Sequence, residues 1–588
     1  MTTLSPDLIA EVLERQGEIS QEQATQLRHE ARLLPKPGTR GTYEQRSPAY
    51  DLVNRLAFSS QRRPGTVVDE DVIAEAVAQD AGLEHVHIDP LRLNADLIES
   101  EVSRPFARRH RMVPLDMTNG KLRLACANPF DIEGIDNFRR LSGRDVEIVV
   151  ASEPDILRAL TEFYGLRHSV KRAEKDLQSG LDLGNLEQLV RMKNETEIES
   201  SDAHIVNAVE FMLQHAYDTR ASDIHIEPKR DVSLVRFRID GVLHDIQKLP
   251  KLVHRAVVSR IKTVARLDIA EKRRPQDGRV KTERRGQEVE LRVSTLPVAF
   301  GEKVVMRIFD PETFAMELPQ LGFFPDEMEV FNDFIARPHG IILLTGPTGS
   351  GKTTTLYSAL RTIATREINI TTIEDPIEIV CEEFNQIAVQ SKIGITFAEA
   401  LRFVLRQDPD VIMVGEIRDQ ETAQYAIQAA LTGHLVFSTL HTNDSATSIS
   451  RLLDLGIEPF LISSTLVGAM AQRLVRRICA RCATVRYLSR EEVQTLRLSV
   501  PAGKKVQVME GKGCHECRGT GYRGRVGIFE LMAVDDSIKH LIQSRADAPL
   551  IKRESIKNGM RTLRQSALQR LAEGSTTFEE VVRVTGLL

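Results

Sequence analysis

A chain of 588 residues with 41% hydrophobic and 27% charged residues predicts several globular domains and excludes a wholly disordered or collagen-like protein. A net charge of -5, no tryptophan and 5% aromatic residues exclude bulk attraction to nucleic acid and an extended platform for stacking bases. No apolar run reaches the roughly 18 residues that span a bilayer, and Met1-Thr2-Thr3 opens no basic and apolar secretory signal, so a cytoplasmic protein is expected.

Residues 4–33 carry a helical pattern through Leu8, Ile9, Val12, Leu13, Ala24 and Leu27. Ile19-Ser20 followed by Glu22 and Gln23 reads as a helix start with a capping serine. Residues 1–34 are thus an N-terminal helical segment, and 35–65, polar with Gly38, Gly41 and several arginines, a linker. Residues 66–165 predict a compact α/β or α+β domain. Val72, Ile73, Ala76 and Val77 suit a helix, Leu122, Leu124 and Ala125 a strand after the turn Asn119-Gly120, and Val146 to Val150 another strand. Residues 166–200, charged and repeating Leu-Asp-Leu-Gly, read as a second linker.

Residues 201–318 predict a small α/β domain. A helix carries Ile205, Val206, Val209 and Met212, a basic helix covers 256–265, and strands fall at 232–239, 288–293 and 303–308. From 319 to 588, apolar strands alternate with helices, the pattern of a parallel sheet. The fold class is therefore α/β and multidomain.

The segment Gly346-Pro347-Thr348-Gly349-Ser350-Gly351-Lys352-Thr353 fits the P-loop pattern. It follows the apolar run Ile341–Thr345 and opens a helix from Thr354, which is the context the motif requires. Glycines let the backbone curl round phosphates, and the helix N-terminus favours their charge. Lys352 is expected to neutralise the β- and γ-phosphates of ATP, and the Thr353 hydroxyl to hold Mg²⁺. Two further apolar runs end in acids: Val411–Val414 runs into Gly415-Glu416, and Ile370–Ile373 into Glu374, Asp375 and Glu378. Carboxylates at such strand ends face the ligand crevice of an open α/β sheet, where they orient Mg²⁺ or water. A fourth run, Leu435–Leu440, lies between His434 and His441.

Six cysteines include two Cys-x-x-Cys pairs, Cys479/Cys482 and Cys514/Cys517, with 31 residues between the pairs. Four thiolates match a closed tetrahedral Zn²⁺ site, structural rather than catalytic, in a subdomain of about residues 476–525. Arg473, Arg476, Arg477 and Arg481 are expected to offset its negative charge.

Together these segments resemble the secretion ATPase family of type II secretion and type IV pilus machines, GspE/PilB assembly type. Gly346–Thr353 resembles its Walker A segment, Ile373–Glu378 its Asp box, Leu405–Asp419 its Walker B segment with Glu416 in place of the usual aspartate, and Thr432–Thr442 its His box. Ala221–Pro228, Phe237–Gly241 and Pro275–Arg279 are similar to its signatures in the preceding domain. The resemblance implies a RecA-like ATPase core, a preceding small domain whose arginines close on the nucleotide, and a ring of six chains. It assigns that role to Arg292 and Arg307, with Arg238 as a third, and the general base to Glu378 or, second, Glu374. It makes Thr354 and Asp375 nucleotide or Mg²⁺ contacts and His441 a catalytic partner. It implies a homohexamer peripheral to the inner membrane and makes residues 66–165 a docking domain. The ring would engage a platform protein and the cytoplasmic domain of a membrane-anchored component, with no nucleic-acid partner, and drive pseudopilus assembly or pilus extension. Leu8–Gln26 is similar to half of a cyclic-di-GMP-binding repeat, but Leu8-Ile9-Ala10 stands where that repeat opens Arg-Leu-Gly.

Overall fold

The computed structural model describes residues 4–32, 48–56, 58–62, 67–88, 97–98, 101–118, 120–162, 195–284, 287–309, 315–499, 501, 504–514 and 516–586. Of the segments read as linkers, 35–47, 57 and 63–65 of the first and 166–194 of the second lie outside these residues, as does His515. The chain divides into two compact units, residues 1–280 with 293–306, and residues 281–292 with 307–588.

In the first unit, helices Pro6–Arg15 and Gln21–Arg32 form where the apolar spacing predicts them. Ser20 and Gln23 cap reciprocally: Gln23 N donates to Ser20 Oγ at 3.1 Å and Ser20 N to Gln23 Oε1 at 2.8 Å. Ile9, Leu13 and Leu27 share one core with Ile73 and Val77 of helix Glu70–Ala81. That core also takes in Tyr50, Leu52 and Val53 of helix Pro48–Leu56. The linker reading of 35–65 is corrected there, since a short amphipathic helix lies behind its polar, arginine-rich flanks. Helices Pro6–Arg15 and Gln21–Arg32 are likewise part of this core rather than a separate segment. A second core lies on a three-stranded sheet of β1 (Met112–Thr118), β2 (Lys121–Cys126) and β3 (Val146–Val150). β1 and β2 are antiparallel, and β2 and β3 parallel.

The helix Glu195–Asp218 precedes a six-stranded sheet ordered β6-β5-β4-β9-β8-β7. Its strands are β4 (Ala221–Pro228), β5 (Val232–Ile239), β6 (Val242–Pro250), β7 (Gln276–Arg284), β8 (Gln287–Val298) and β9 (Gly301–Phe309). β5, β8 and β9 fall where the alternation predicts strands. β4, β6 and β7 add to them; polar residues such as His225, Asp245 and Lys281 blur their period of two.

The second unit is built on a seven-stranded sheet ordered β12-β11-β13-β14-β10-β15-β18. Its strands are β10 (Gly340–Thr345), β11 (Ile370–Glu374), β12 (Asn385–Ala388), β13 (Val411–Val414), β14 (Leu435–Leu440), β15 (Leu466–Ile478) and β18 (Tyr522–Ala533). Every residue of β10, β11, β13 and β14 is buried, which is why β10 and β13 read as apolar runs, while Thr371 and Thr372 of β11 and Ser438 and Thr439 of β14 are buried polar members. All neighbours pair in parallel except β15 and β18, which are antiparallel. A two-stranded ladder of β16 (Ala483–Tyr487) and β17 (Gln507–Gly511) lies between the cysteine pairs in sequence. Among the described residues no helix is long and apolar enough to cross a membrane.

Helix Phe578–Thr585 is fastened to β15 through Glu580, whose side chain is fully buried. Glu580 accepts from Arg476 N at 2.9 Å, from Arg476 Nη2 at 2.7 Å and from Arg583 Nη2 at 2.7 Å. Burial favours its neutral form, but the hydrogen bonds from Arg583 and Arg476 outweigh burial and hold the carboxyl at about 2. Since an unfolded glutamate titrates near about 4.3, this stabilisation is present above that pH and is lost as pH falls toward 2. Glu580→Gln, which leaves two guanidinium groups short of their anion, is expected to cost about 3 kcal/mol near neutral pH. Denaturant unfolding from pH 7 down to pH 3 checks this. The gap between wild type and variant should narrow on acidification, and a pH-independent gap contradicts the ion-pair account.

Candidate functional site

The loop from Gly346 to Gly351 joins β10 to the helix Lys352–Ile363. Gly346, Gly349 and Gly351 have φ of 147°, 78° and 91°. Two of them also need the missing Cβ: at Gly346 it would lie 2.5 Å from Gln472 O, and at Gly351 2.8 Å from Gln472 Nε2. Residues 472–474 of β15 thus run directly against the loop. Gln472 is fixed there by Thr355, whose Oγ1 donates to Gln472 Oε1 at 2.9 Å. Lys352 Nζ donates to Gly346 O at 2.8 Å and to Pro347 O at 3.2 Å. Burial pushes its ammonium below the ordinary lysine value; Glu416 and Glu378 pull it up, and Arg473 pushes it further down.

The strand ends bring the acids to this place in register. Thr345 of β10 pairs with Leu440 of β14, Ser438 of β14 with Val414 of β13, and Val414 with Ile373 of β11. The residues that follow are Gly346, His441, Gly415-Glu416 and Glu374, all at one edge of the sheet. Thr442 N donates to Thr345 Oγ1 at 2.9 Å and ties the His-box loop to β10. Asp410 and His434 lie at the opposite strand ends. Asp410 accepts from Asn369 N at 2.7 Å, and His434 Nδ1 donates to Ala429 O at 2.8 Å. Of the two histidines flanking β14, only His441 reaches the phosphate edge.

The acids differ in their surroundings. Glu416 Oε2 lies 3.2 Å from His441 Nε2, and Arg418 donates to its Oε1. Burial raises the Glu416 carboxyl, but Arg418 and His441 outweigh burial and hold it below the ordinary value. Arg418 also lies 3.8 Å from Asp375, linking the two acidic segments. Glu378 goes the other way: burial raises its carboxyl, opposed by Arg292 and Arg307, reinforced by Glu374 and opposed by a hydrogen bond from Thr353. Glu374 is buried and fully engaged, accepting from Tyr357 Oη at 2.5 Å, Thr372 Oγ1 at 2.7 Å and Gln386 Nε2 at 3.1 Å. Of the two base candidates, Glu378 is the one placed beside Thr353 and Lys352.

Arg292 and Arg307 both belong to the second unit, together with the P-loop, and not to a unit of their own. Arg292 donates to Ile377 O, and its guanidinium lies 4.3 Å over the Phe309 ring. Arg238 belongs to the first unit, where Nη1 donates to Gly241 O at 3.0 Å and Nε lies 3.6 Å from Asp223.

Cys479, Cys482, Cys514 and Cys517 come together, with Sγ–Sγ distances of 3.7 Å for 479–514, 482–517 and 514–517. Four sulfurs about 2.3 Å from one Zn²⁺ define a tetrahedron with edges of about 3.8 Å, so the set fits zinc. Cys514 N and Gly521 N donate to Cys517 Sγ at 3.1 and 3.2 Å. Three of the four arginines read as balancing these thiolates have other partners. Arg481 pairs with Glu516 at 3.4 Å, Arg476 with Glu580, and Arg473 donates to Asn443 Oδ1 at 3.2 Å. Cys482→Ser is expected to halve zinc content or worse and to melt the cysteine module before the P-loop core. Metal analysis with limited proteolysis checks this; a full complement of zinc in the variant contradicts the four-thiolate site.

The family model described as type II/IV secretion system protein matches residues 198–583, and the MshEN domain model matches residues 81–170. The latter match lies downstream of Leu8–Gln26, where the sequence resemblance to a nucleotide-binding repeat was drawn. The type IV pilus assembly ATPase TfpB of Acinetobacter baylyi is 44% identical over 88% of this chain and 88% of its own. Type II secretion system protein E of Pseudomonas aeruginosa is 43% identical over 82% of this chain and 95% of its own. That of Xanthomonas campestris is 42% identical over 82% and 84%. A family match over most of the chain, with relatives this similar over nearly their whole length, puts the P-loop, the paired acids and the four cysteines in one known setting: the chain belongs to the type II/IV secretion system protein family.

Proposed function

We propose that this protein is an ATP-hydrolysing motor of type II protein secretion, working as a hexamer on an inner-membrane platform. The observation that supports the reading is the strand register that brings Glu416 and His441 to the same sheet edge as the P-loop that follows Thr345. Lys352 and the backbone N–H groups of the loop after Pro347, residues 348–351, bind the polyphosphate. Thr353 and Glu416 supply hard oxygen donors suited to Mg²⁺, and Arg418 and His441 keep Glu416 ionised. Mg²⁺ held there by Thr353 and Glu416 would supply positive charge against the phosphate oxygens. Glu378, with its raised carboxyl, takes the proton of the attacking water. Arg292 and Arg307 beside it meet charge that develops on the transferred phosphoryl group. The four-cysteine module is a closed structural zinc site.

The motifs resemble those of both type II secretion and type IV pilus assembly proteins, and the 44% identical pilus ATPase supports the second reading. Deleting the gene separates the two. Loss of secreted enzymes from the medium with surface pili intact supports the first, and loss of pili with secretion intact supports the second.

A further inference from the structure

The second unit holds one cation at the phosphate edge that the motifs leave unassigned. Arg473 stands on β15 one residue beyond Gln472, whose backbone and side chain pack on Gly346 and Gly351. Its guanidinium donates to Asn443 O at 3.4 Å and Asn443 Oδ1 at 3.2 Å, in the loop just after His441 and Thr442. Arg473 is therefore held on the His-box loop, half-buried, with a neutral partner, on the strand that runs against the P-loop. Neither of these hydrogen bonds supplies negative charge. Among the described residues no ion pair joins it to a carboxylate, whereas Arg476, three residues on, is paired with Glu580. Burial alone pushes the Arg473 guanidinium below its ordinary value, and its charge acts on Lys352.

Two cations kept close together in a partly buried place, one of them with no acid of its own, are unfavourable unless an anion joins them. Lys352 has Glu416 and Glu378 acting on it, whereas among the described residues no carboxylate pairs with Arg473. We propose that Arg473 is a second phosphate-binding cation of this site, contacting the polyphosphate of the nucleotide together with Lys352. The planar fork suits an oxygen pair on adjacent phosphates, and Asn443 orients it without neutralising it. This rests on the reading of the loop as an ATP site and extends it by a residue that no P-loop motif contains. It also gives β15 a part in binding, since the strand delivers both the residue that packs under the loop and the one that faces the ligand.

The test measures binding of fluorescent ADP and ATP to the full chain, with inorganic tripolyphosphate as a competitor that carries no base. Arg473→Gln is expected to weaken ADP and ATP by about 10- to 100-fold and to raise the tripolyphosphate inhibition constant by a similar factor. Asn443→Ala, which removes only the orienting side chain, should cost less than about 5-fold. If both variants lose affinity equally, Arg473 acts through the His-box loop and the proposal is overturned. It is also overturned if Arg473→Gln weakens the nucleotides but not tripolyphosphate, which would place the arginine against the base. Binding unchanged in Arg473→Gln overturns it outright. Should that variant fail to fold, Arg473→Lys takes its place: it keeps the charge, loses the fork and is expected to weaken tripolyphosphate about 3- to 10-fold, and equality with wild type overturns the proposal. Wild-type protein that binds neither nucleotide would instead overturn the ATP-site reading itself.

Discussion

Lys352→Ala is expected to reduce ATP hydrolysis by about 10²-fold or more while leaving the unfolding temperature nearly unchanged. The lysine begins the helix Lys352–Ile363, and its ammonium touches only the loop carbonyls of Gly346 and Pro347. No core contact depends on it. Burial already disfavours its charge, so removing it costs the apo fold little and costs the nucleotide complex a great deal. Phosphate release with a thermal melt checks both halves. A variant that keeps more than about a tenth of wild-type turnover contradicts the assignment of this loop.

Glu378→Gln is expected to bind ATP and to turn it over about 10²- to 10⁴-fold more slowly. The glutamine keeps the size and removes the base. Glu378 carries a further signature because burial raises its carboxyl above the ordinary value. A general base works only when deprotonated. Wild-type turnover should therefore rise with pH through a value above about 4.3, and the slow residual rate of the variant should lose that limb. Glu374→Gln serves as the contrast. Tyr357, Thr372 and Gln386 fill that carboxylate, so its loss should lower stability at least as much as turnover. If Glu378→Gln retains wild-type turnover and Glu374→Gln does not, the two roles are reversed.

Much of this site was readable before any coordinates because its strands are buried on both faces. β10, β11, β13 and β14 are short, fully buried strands rich in Ile, Leu and Val, and each acid or loop lies at the end of one of them. The partners were harder. Tyr357 and Gln386 lock Glu374 across 17 and 12 residues of sequence, and no local pattern announces such a bond. Arg473 was sorted with the cysteines because it lies six positions before Cys479. A strand rises about 3.3 Å per residue, so six positions amount to roughly 20 Å, and the two ends of β15 serve different places. The helix Pro48–Leu56 is hard to read because it is short: Tyr50, Leu52 and Val53 join the core and Leu56 packs against it, within a segment whose flanks read as polar.

The length of β15 has one more consequence. It runs from Leu466 to Ile478, pairs with β10 at its start and with β18 from Gly468 to Ile478, and hands the chain directly to Cys479. An extended strand laddered to a neighbour is nearly inextensible, because stretching it means bending bond angles rather than turning dihedrals. The cysteine module and the P-loop are thus joined by a strut of fixed length with Gln472 partway along it. A pull on the module is taken up by that strut as tension rather than by slack.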